Sequence, residues 1–246
     1  MENVIVTPKK MMKISELFSL SFKIYENKFW PLMGLIVLPA LMLVLLALVF
    51  GLYFVLTTVL AAGTVLSALT IVLALLALLA VIFLIIFSVL SKIALALVVK
   101  ENLAEFSIFA MLKKAREYWK SYFWIGFLGG LLTVIGFILF IIPGIILAIY
   151  WCLATWIFLD QGTRGWTALK QSQAMVSGYW WAIFLRFAVP MVIFMVIISL
   201  PTAFMEEKSQ VANIYSFIVQ IISVVLTPFL TAYVFNIYKN LKEIKA

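Results

Sequence analysis

Long apolar runs, separated by short polar segments, dominate the pattern of this chain. Between Phe29 and Ser91 there is no Asp, Glu, Lys or Arg, and a second uncharged stretch extends from Ser121 to Leu159. The hydrocarbon core of a bilayer is about 30 Å thick, so a spanning helix needs about 20 apolar residues. Each uncharged stretch is therefore long enough for two spans. Helices are expected because lipid offers the backbone no hydrogen-bond partners.

The apolar pattern predicts six membrane spans. Pro143 and Gly144 interrupt the second uncharged stretch, because proline lacks a backbone N–H donor and glycine permits a sharp turn. The third and fourth spans are then short, which leaves a re-entrant hairpin open, and Pro190 and Pro228 are candidate kinks in the last two. The first span is expected at residues 29–56, and the second extends from a turn at 61–64 to 99. The third is expected at 121–141, and the fourth extends from there to 159. The fifth and sixth are expected at 179–204 and 212–238.

Composition agrees with a membrane protein. Hydrophobic residues make up 66% of the chain and charged residues 11%, whereas soluble domains are roughly half apolar and a quarter charged. The first 28 residues carry five lysines and are too polar for a signal peptide. The prediction is an all-α polytopic membrane protein with an amphipathic N-terminal segment at 1–28, a six-span domain at 29–238 and a basic tail at 239–246.

The positive charges predict an orientation. Sixteen of the eighteen lysines and arginines fall in segments that a six-span arrangement places on one side of the membrane. The other two are Lys208, in an opposite loop beside Glu206 and Glu207, and Arg186 within the fifth span. Because lysine and arginine favour the cytoplasmic side, both termini are expected there. The net charge of +8 then indicates attraction to anionic lipid headgroups and not to nucleic acid.

One arrangement occurs three times along the chain: an amphipathic stretch, an aromatic cluster and an apolar hairpin. The aromatic clusters begin at Lys28, Ser121 and Gly178. Amphipathic helices of this kind lie in the membrane interface, and aromatic side chains anchor there. The pattern predicts a triplicated helix-plus-hairpin unit, with three ordinary cytoplasmic loops as the alternative. Gly126, Gly130 and Gly136 are expected to permit close helix approach in the third span.

The residues needed for catalysis are scarce. The chain has no histidine and one cysteine, Cys152, which excludes zinc sites built on histidine and Ser-His or Cys-His pairs. The only adjacent acidic pair is Glu206-Glu207, and no phosphate-binding glycine loop is present. We therefore expect no catalytic residue, no cofactor and no metal site, and Cys152 is expected to be a packed or lipid-facing thiol.

A cytoplasmic rim is the predicted place for a ligand or a protein partner. Arg186 lies two turns into the fifth span, where snorkelling to the headgroups is the favoured interpretation. Asp160, at the end of the fourth span, could instead pair with Arg186 or Arg164. A solvated and packed interhelical loop is the alternative interpretation of the whole rim, which comprises Asp160, Arg164, Lys170, Ser172 and Arg186.

The region from Ile141 to Gly178 carries a family resemblance. A Pro-Gly turn ends one span, Asp160 follows the next, and the sequence GWTALKQS at 165–172 leads to SGYW at 177–180. This resembles the membrane domain fused to some bacterial glycerophosphodiester phosphodiesterases, and the related YciC-like inner-membrane proteins. In that family a glutamate is expected at the position of Asp160, and a basic residue is commoner than Gln171.

The resemblance implies a bacterial inner-membrane protein with six spans. The family has no established molecular activity, and the phosphodiesterase barrel is absent, so no hydrolytic activity is implied. The expected function is that of a non-enzymatic membrane protein that interacts with lipids or organises a protein partner. The alternative is a transporter or permease subunit, with a cavity between the hairpins lined by Thr133, Ser199, Asn213 or Gln220.

Overall fold

The computed structural model describes residues 11–59, 65–101, 107–202 and 209–245. These residues form nine helices, and no strand occurs among them. The helices are α1 (Ile14–Asn27), α2 (Phe29–Val59), α3 (Val65–Glu101), α4 (Ile108–Leu139), α5 (Ile141–Trp151), α6 (Ala154–Gln161), α7 (Gly165–Val176), α8 (Trp180–Thr202) and α9 (Gln210–Lys245).

Six segments are long and apolar enough to cross a membrane: α2, α3, α4, the α5–α6 pair, α8 and α9. This confirms the all-α polytopic fold. The predicted turn at 61–64 and the acidic loop at 206–208 lie outside the described residues. The basic tail predicted at 239–246 continues α9 as helix to Lys245, and Leu241 within it is buried.

The break between α4 and α5 lies close to the predicted Pro-Gly turn. Phe140 is extended, with φ −160° and ψ 151°, and α5 begins directly after it. Pro143 occupies the first turn of α5, where a missing N–H costs little because the first amides of a helix have no intrahelical acceptor. The residue that breaks the helix is therefore Phe140, three positions before the proline.

The chain passes three times from an amphipathic segment into two spans. In the first and third units the helix breaks between the amphipathic segment and the first span. The break lies at Lys28 in the first unit and at Gly178 in the third. The φ of Gly178 is 87°, a backbone conformation that favours glycine. In the second unit the amphipathic stretch continues into the span as the single helix α4. Nothing in α4 near Ser121 breaks a helix, since neither proline nor glycine occurs there. Triplication of the unit stays a prediction.

The buried side chains gather at one end of the helices, here called the basic end because most lysines and arginines lie there. They come from α1, the start of α2, the last turns of α3, the first half of α4, α6, α7, the start of α8 and the last third of α9. By contrast, no residue is buried in the apolar 18-residue segment that represents α3. In the corresponding segments of α2 and α8, only 6% of the residues are buried. These segments expose apolar side chains, as surfaces that face lipid do.

Helix α1 is attached to α9 along its length. The Met12 N–H, just before α1, donates to Asn240 Oδ1 at 3.0 Å, and Asn236 Nδ2 donates to Ser21 Oγ at 2.9 Å. Leu17 is fully buried, and the Phe18 ring lies edge-on to the Tyr233 ring with centroids 5.2 Å apart. The predicted amphipathic helix therefore covers the end of α9 with its buried face.

The glycines of α4 differ in their packing. A Cβ on Gly136 would lie 3.0 Å from Gly144 Cα, and a Cβ on Gly144 would lie 2.4 Å from Phe137 Cγ. The α4–α5 hairpin therefore needs both glycines. A Cβ on Gly126 or Gly130 would meet nothing within 4 Å in the described chain. The close approach predicted for Gly126 and Gly130 is wrong within the described residues, because the space beside each of them is open.

Candidate functional site

A crevice opens at the basic end, where α1, the last turn of α3 and the end of α9 meet. Its larger part is a cavity of about 550 Å³ whose polar lining includes Lys23, Asn27, Lys100, Asn236, Lys239, Asn240 and Glu243. An adjoining cavity of about 380 Å³ is lined by Lys100, Asp160, Phe235, Tyr238, Lys239, Lys242 and Glu243. The two cavities share Lys100, Phe235, Lys239 and Glu243 and are together called the basic crevice.

Positive charge is in excess in the basic crevice. Four lysines line it, against two carboxylates. The lysines lie on three helices that are far apart in sequence, so only the packing of α1, α3 and α9 brings them together. The lysines are Lys23, Lys100, Lys239 and Lys242, and the carboxylates are Asp160 and Glu243.

Asp160 neutralises one side of the crevice. Its Oδ2 accepts a 2.7 Å hydrogen bond from the Tyr238 hydroxyl and another from Lys242 Nζ, and its Oδ1 lies 3.9 Å from Lys100 Nζ. Lys100 Nζ also donates to the Leu159 carbonyl at 2.5 Å. The pairing considered for Asp160 with Arg164 or Arg186 is wrong, because the ends of α3 and α9 come closer to Asp160 than either arginine does.

Two further lysines of the crevice take no part in the contacts of Asp160, although Glu243 lines the same cavity as they do. Lys23 on α1 and Lys239 on α9 are exposed and make no ion pair within the described residues. Amide groups lie beside them, on Asn27 and Asn240. Because Asn240 Oδ1 accepts the Met12 N–H, the Asn240 amide nitrogen is left as a donor. Ammonium and amide donors of this kind suit an anionic oxygen.

Lys28 links the adjoining ends of α1, α2 and α3. It is 4% exposed at the junction of α1 and α2, and its Nζ donates to the Val98 carbonyl at 3.1 Å. Burial lowers the pKa of the Lys28 amine below its ordinary value. Val98 lies in the last turn of α3, where the helix dipole favours a cation. Lys28 therefore has a structural contact and does not line the basic crevice.

Arg186 binds backbone carbonyls at the start of the described chain. Its Nε donates to the Met12 carbonyl at 3.2 Å, its Nη2 donates to the same oxygen, and its Nη1 donates to the Ala182 carbonyl at 2.8 Å. Its own carbonyl accepts the Tyr233 hydroxyl at 2.9 Å. The segment before α1 therefore packs over α8 and supplies an acceptor for the guanidinium, and snorkelling to headgroups stays a prediction.

The remaining residues of the predicted rim do not meet in one place. Ser172 is fully buried and its Oγ donates to the Tyr150 carbonyl at 2.6 Å, which fixes α7 against α5. Arg164 and Lys170 are exposed at the start and middle of α7 and line neither cavity of the basic crevice. Of the five predicted residues only Asp160 lines it, and a binding role for the other four stays a prediction.

The described polar residues considered for a transport cavity line neither cavity of the basic crevice. Thr133 donates to the Gly129 carbonyl of its own helix at 2.7 Å. Asn213 and Gln220 are exposed on α9, and the side chain of Ser199 lies outside the described residues. Across residues 11–59, 65–101, 107–202 and 209–245, no three His, Cys, Asp or Glu side chains are grouped so that they could hold a metal ion.

The crevice lysines lie outside the rim predicted from the sequence. A usable signal was present, because Lys239 and Lys242 are three residues apart on one helix face and Lys23 lies on the polar face of α1. Their contact with the end of α3 was not visible in the sequence. Comparisons of the chain with protein-family models, with curated proteins and with solved structures gave no match. The resemblance to the phosphodiesterase membrane domain therefore stays a prediction.

Proposed function

We propose that this multi-pass membrane protein is non-enzymatic and binds anionic lipid headgroups in the basic crevice. The observation that carries the proposal is the pair of lysines, Lys23 and Lys239, which line one cavity and make no ion pair with another described residue. Each lysine near a membrane surface contributes about 1 kcal/mol to binding of anionic lipid. The proposal includes the cytoplasmic location of the basic end, which the excess of lysine and arginine there supports.

The position of the crevice supports a lipid ligand. It opens beside α1, at the same end as the aromatic side chains that begin α2 and α8, and such residues lie at the headgroup level. Phe235 lines both cavities and offers an apolar surface next to the lysines. A phosphate bound between Lys23 and Lys239 would therefore have its acyl chains close to the hydrocarbon region.

The absence of histidine from the sequence supports the non-enzymatic part of the proposal. Asp160, the carboxylate that lines the crevice at the end of α6, already accepts from Tyr238 and Lys242 and approaches Lys100. These contacts keep Asp160 ionised and engaged, which suits a structural anion better than a general acid or base.

The test measures retention of lipid by the purified chain in nanodiscs that contain phosphatidylglycerol and phosphatidylcholine. Native mass spectrometry would count the anionic lipid retained by the wild type and by the double variant Lys23→Gln/Lys239→Gln. We expect the double variant to bind phosphatidylglycerol about 30-fold more weakly. The matched control is Arg164→Gln/Lys170→Gln, which removes two exposed charges from the same end without touching the crevice.

Three results separate the possibilities. Loss of lipid only in the crevice variant supports the proposal. Loss only in the α7 control moves the site to the rim predicted from the sequence and contradicts the proposal. Equal retention of phosphatidylglycerol and phosphatidylcholine by all three chains would indicate nonspecific lipid around the protein and would also contradict the proposal.

A further inference from the structure

A polar stripe runs along one exposed side of α9 through the apolar part of the helix. Its members are separated alternately by three and four residues, so they share one side of the helix. All of them are exposed in the chain. They are Asn213, Ser216, Gln220, Ser223 and Thr227.

The hydroxyls of this stripe are satisfied by their own helix, but the amides are not. Ser216 Oγ donates to the Asn213 carbonyl at 2.9 Å, Ser223 Oγ to Val219 at 2.8 Å and Thr227 Oγ1 to Ser223 at 3.0 Å. Within the described residues no hydrogen bond to the side-chain amide of Asn213 or Gln220 is found. The amides, and not the small hydroxyl residues, therefore need a partner.

The depth of Gln220 in the membrane makes an unpaired side-chain amide unfavourable. It lies ten residues after the start of α9, about 15 Å along the helix axis at 1.5 Å per residue. That distance places it near the middle of a hydrocarbon core about 30 Å thick. An unpaired amide in such surroundings is strongly unfavourable, and polar side chains at this depth usually bond across to another helix.

We infer that the protein forms a parallel dimer in which the polar stripe of α9 packs against the same stripe of a second copy. All copies insert in one orientation, so a two-fold axis along the membrane normal sets α9 parallel to its counterpart and Gln220 opposite itself. A primary amide carries both donors and an acceptor, so two identical amides satisfy each other reciprocally. The Asn213 amide and the hydroxyls of the stripe can pair with their counterparts in the same way, because each carries both a donor and an acceptor.

The spacing independently favours this geometry. Alternation of three and four residues is a repeat of 3.5, which keeps a seam in contact along two parallel helices that coil gently around each other. A single buried amide on such a seam fixes the register of the pair. The other face of α9, which carries Tyr215, already contacts α8 through the Tyr215 hydroxyl and the Ile198 carbonyl at 2.9 Å. The stripe is thus left for a second chain.

The test is disulfide cross-linking of the full chain in liposomes at high lipid-to-protein ratio. The native thiol is removed by Cys152→Ala, and single cysteines are introduced as Ser216→Cys and Ser223→Cys on the stripe. Ile214→Cys and Ile221→Cys are matched controls, because both are exposed on a different side of the same helix, by 62% and 48%. We expect cross-linked dimers only from the stripe positions.

A second variant measures the amide directly. Gln220→Leu should weaken dimerisation about 3- to 30-fold, while Ile221→Leu leaves it unchanged. If Gln220→Leu does not fold, the cysteine series still decides, since Gln220 is retained in it. Equal cross-linking at stripe and control positions overturns the inference. So does reaction of the stripe cysteines with a water-soluble maleimide without cross-linking, which would indicate a water-lined path.

Discussion

The Tyr238 hydroxyl donates a 2.7 Å hydrogen bond to Asp160 Oδ2 and so joins the end of α9 to the end of α6. The same carboxylate oxygen accepts from Lys242, one turn further along α9. Two turns of the last helix are therefore attached to the one acidic residue that ends the fourth span.

Asp160→Asn should lower the free energy of unfolding by about 1–2 kcal/mol. The change removes the charge that Lys242 and Lys100 approach and weakens the bond to Tyr238, in a site that is partly solvated. Tyr238→Phe should cost about 1 kcal/mol. Thermal unfolding in detergent, followed by tryptophan fluorescence, measures both. Glu26→Gln, an exposed change on α1, is the control, and an equal loss in that variant would contradict the assignment.

The stability of the wild type should rise with pH relative to Lys28→Met. Burial lowers the pKa of Lys28 in the folded chain, so the unfolded chain binds more protons between that lowered pKa and the ordinary value of 10.5. The free energy of unfolding therefore increases with pH between these two pKa values. Below the lowered pKa both states bind the proton, so the full cost of burying the charged amine is present. Unfolding at pH 7.5 and pH 10.5 measures the difference, and parallel behaviour of the two chains would show that Lys28 is not desolvated.

Arg186→Lys should loosen the start of the described chain. Lysine keeps the charge but cannot reproduce the several bonds from one guanidinium to the Met12 and Ala182 carbonyls. A loss of about 1–1.5 kcal/mol would speed tryptic cleavage after Lys13 and Lys23 about 5- to 10-fold. Arg164→Lys, on an exposed position before α7, is the matched control. Unchanged cleavage in the Arg186 variant would show that the segment is held by other contacts.

Gly144→Ala should destabilise the α4–α5 hairpin by about 1–3 kcal/mol. The new Cβ would lie 2.4 Å from Phe137 Cγ, and the base of that ring cannot move without moving α4. Gly130→Ala has open space around its Cβ and should be neutral or stabilise by up to about 1 kcal/mol, since alanine favours helix. Thermal unfolding of the two variants in one detergent compares them. Equal melting temperatures would rule out the close approach.

Some features of the site could be predicted, and others depended on long-range packing. The sequence points to Asp160, because an acidic residue at the end of an apolar span needs a partner. Its true partners, Lys100 and Lys242, lie 60 and 82 positions away. The depth of Arg186 in the fifth span similarly predicts a partner, yet its acceptor at Met12 is 174 positions away. Local patterns identify a group that needs a contact, but they carry no information about which distant backbone arrives there.

The sequence by itself determined the six spans, the all-helical class and the concentration of positive charge at one end. It could do so because a bilayer imposes length and apolarity on each span separately, without reference to its neighbours. The tertiary structure alone decided that Lys28 is buried against α3, that Lys23 and Lys239 face one cavity, and that the amides of α9 stay exposed. Those outcomes depend on how the helices pack, and in lipid that packing follows from close fit and hydrogen bonds between particular side chains, for which apolarity gives no signal.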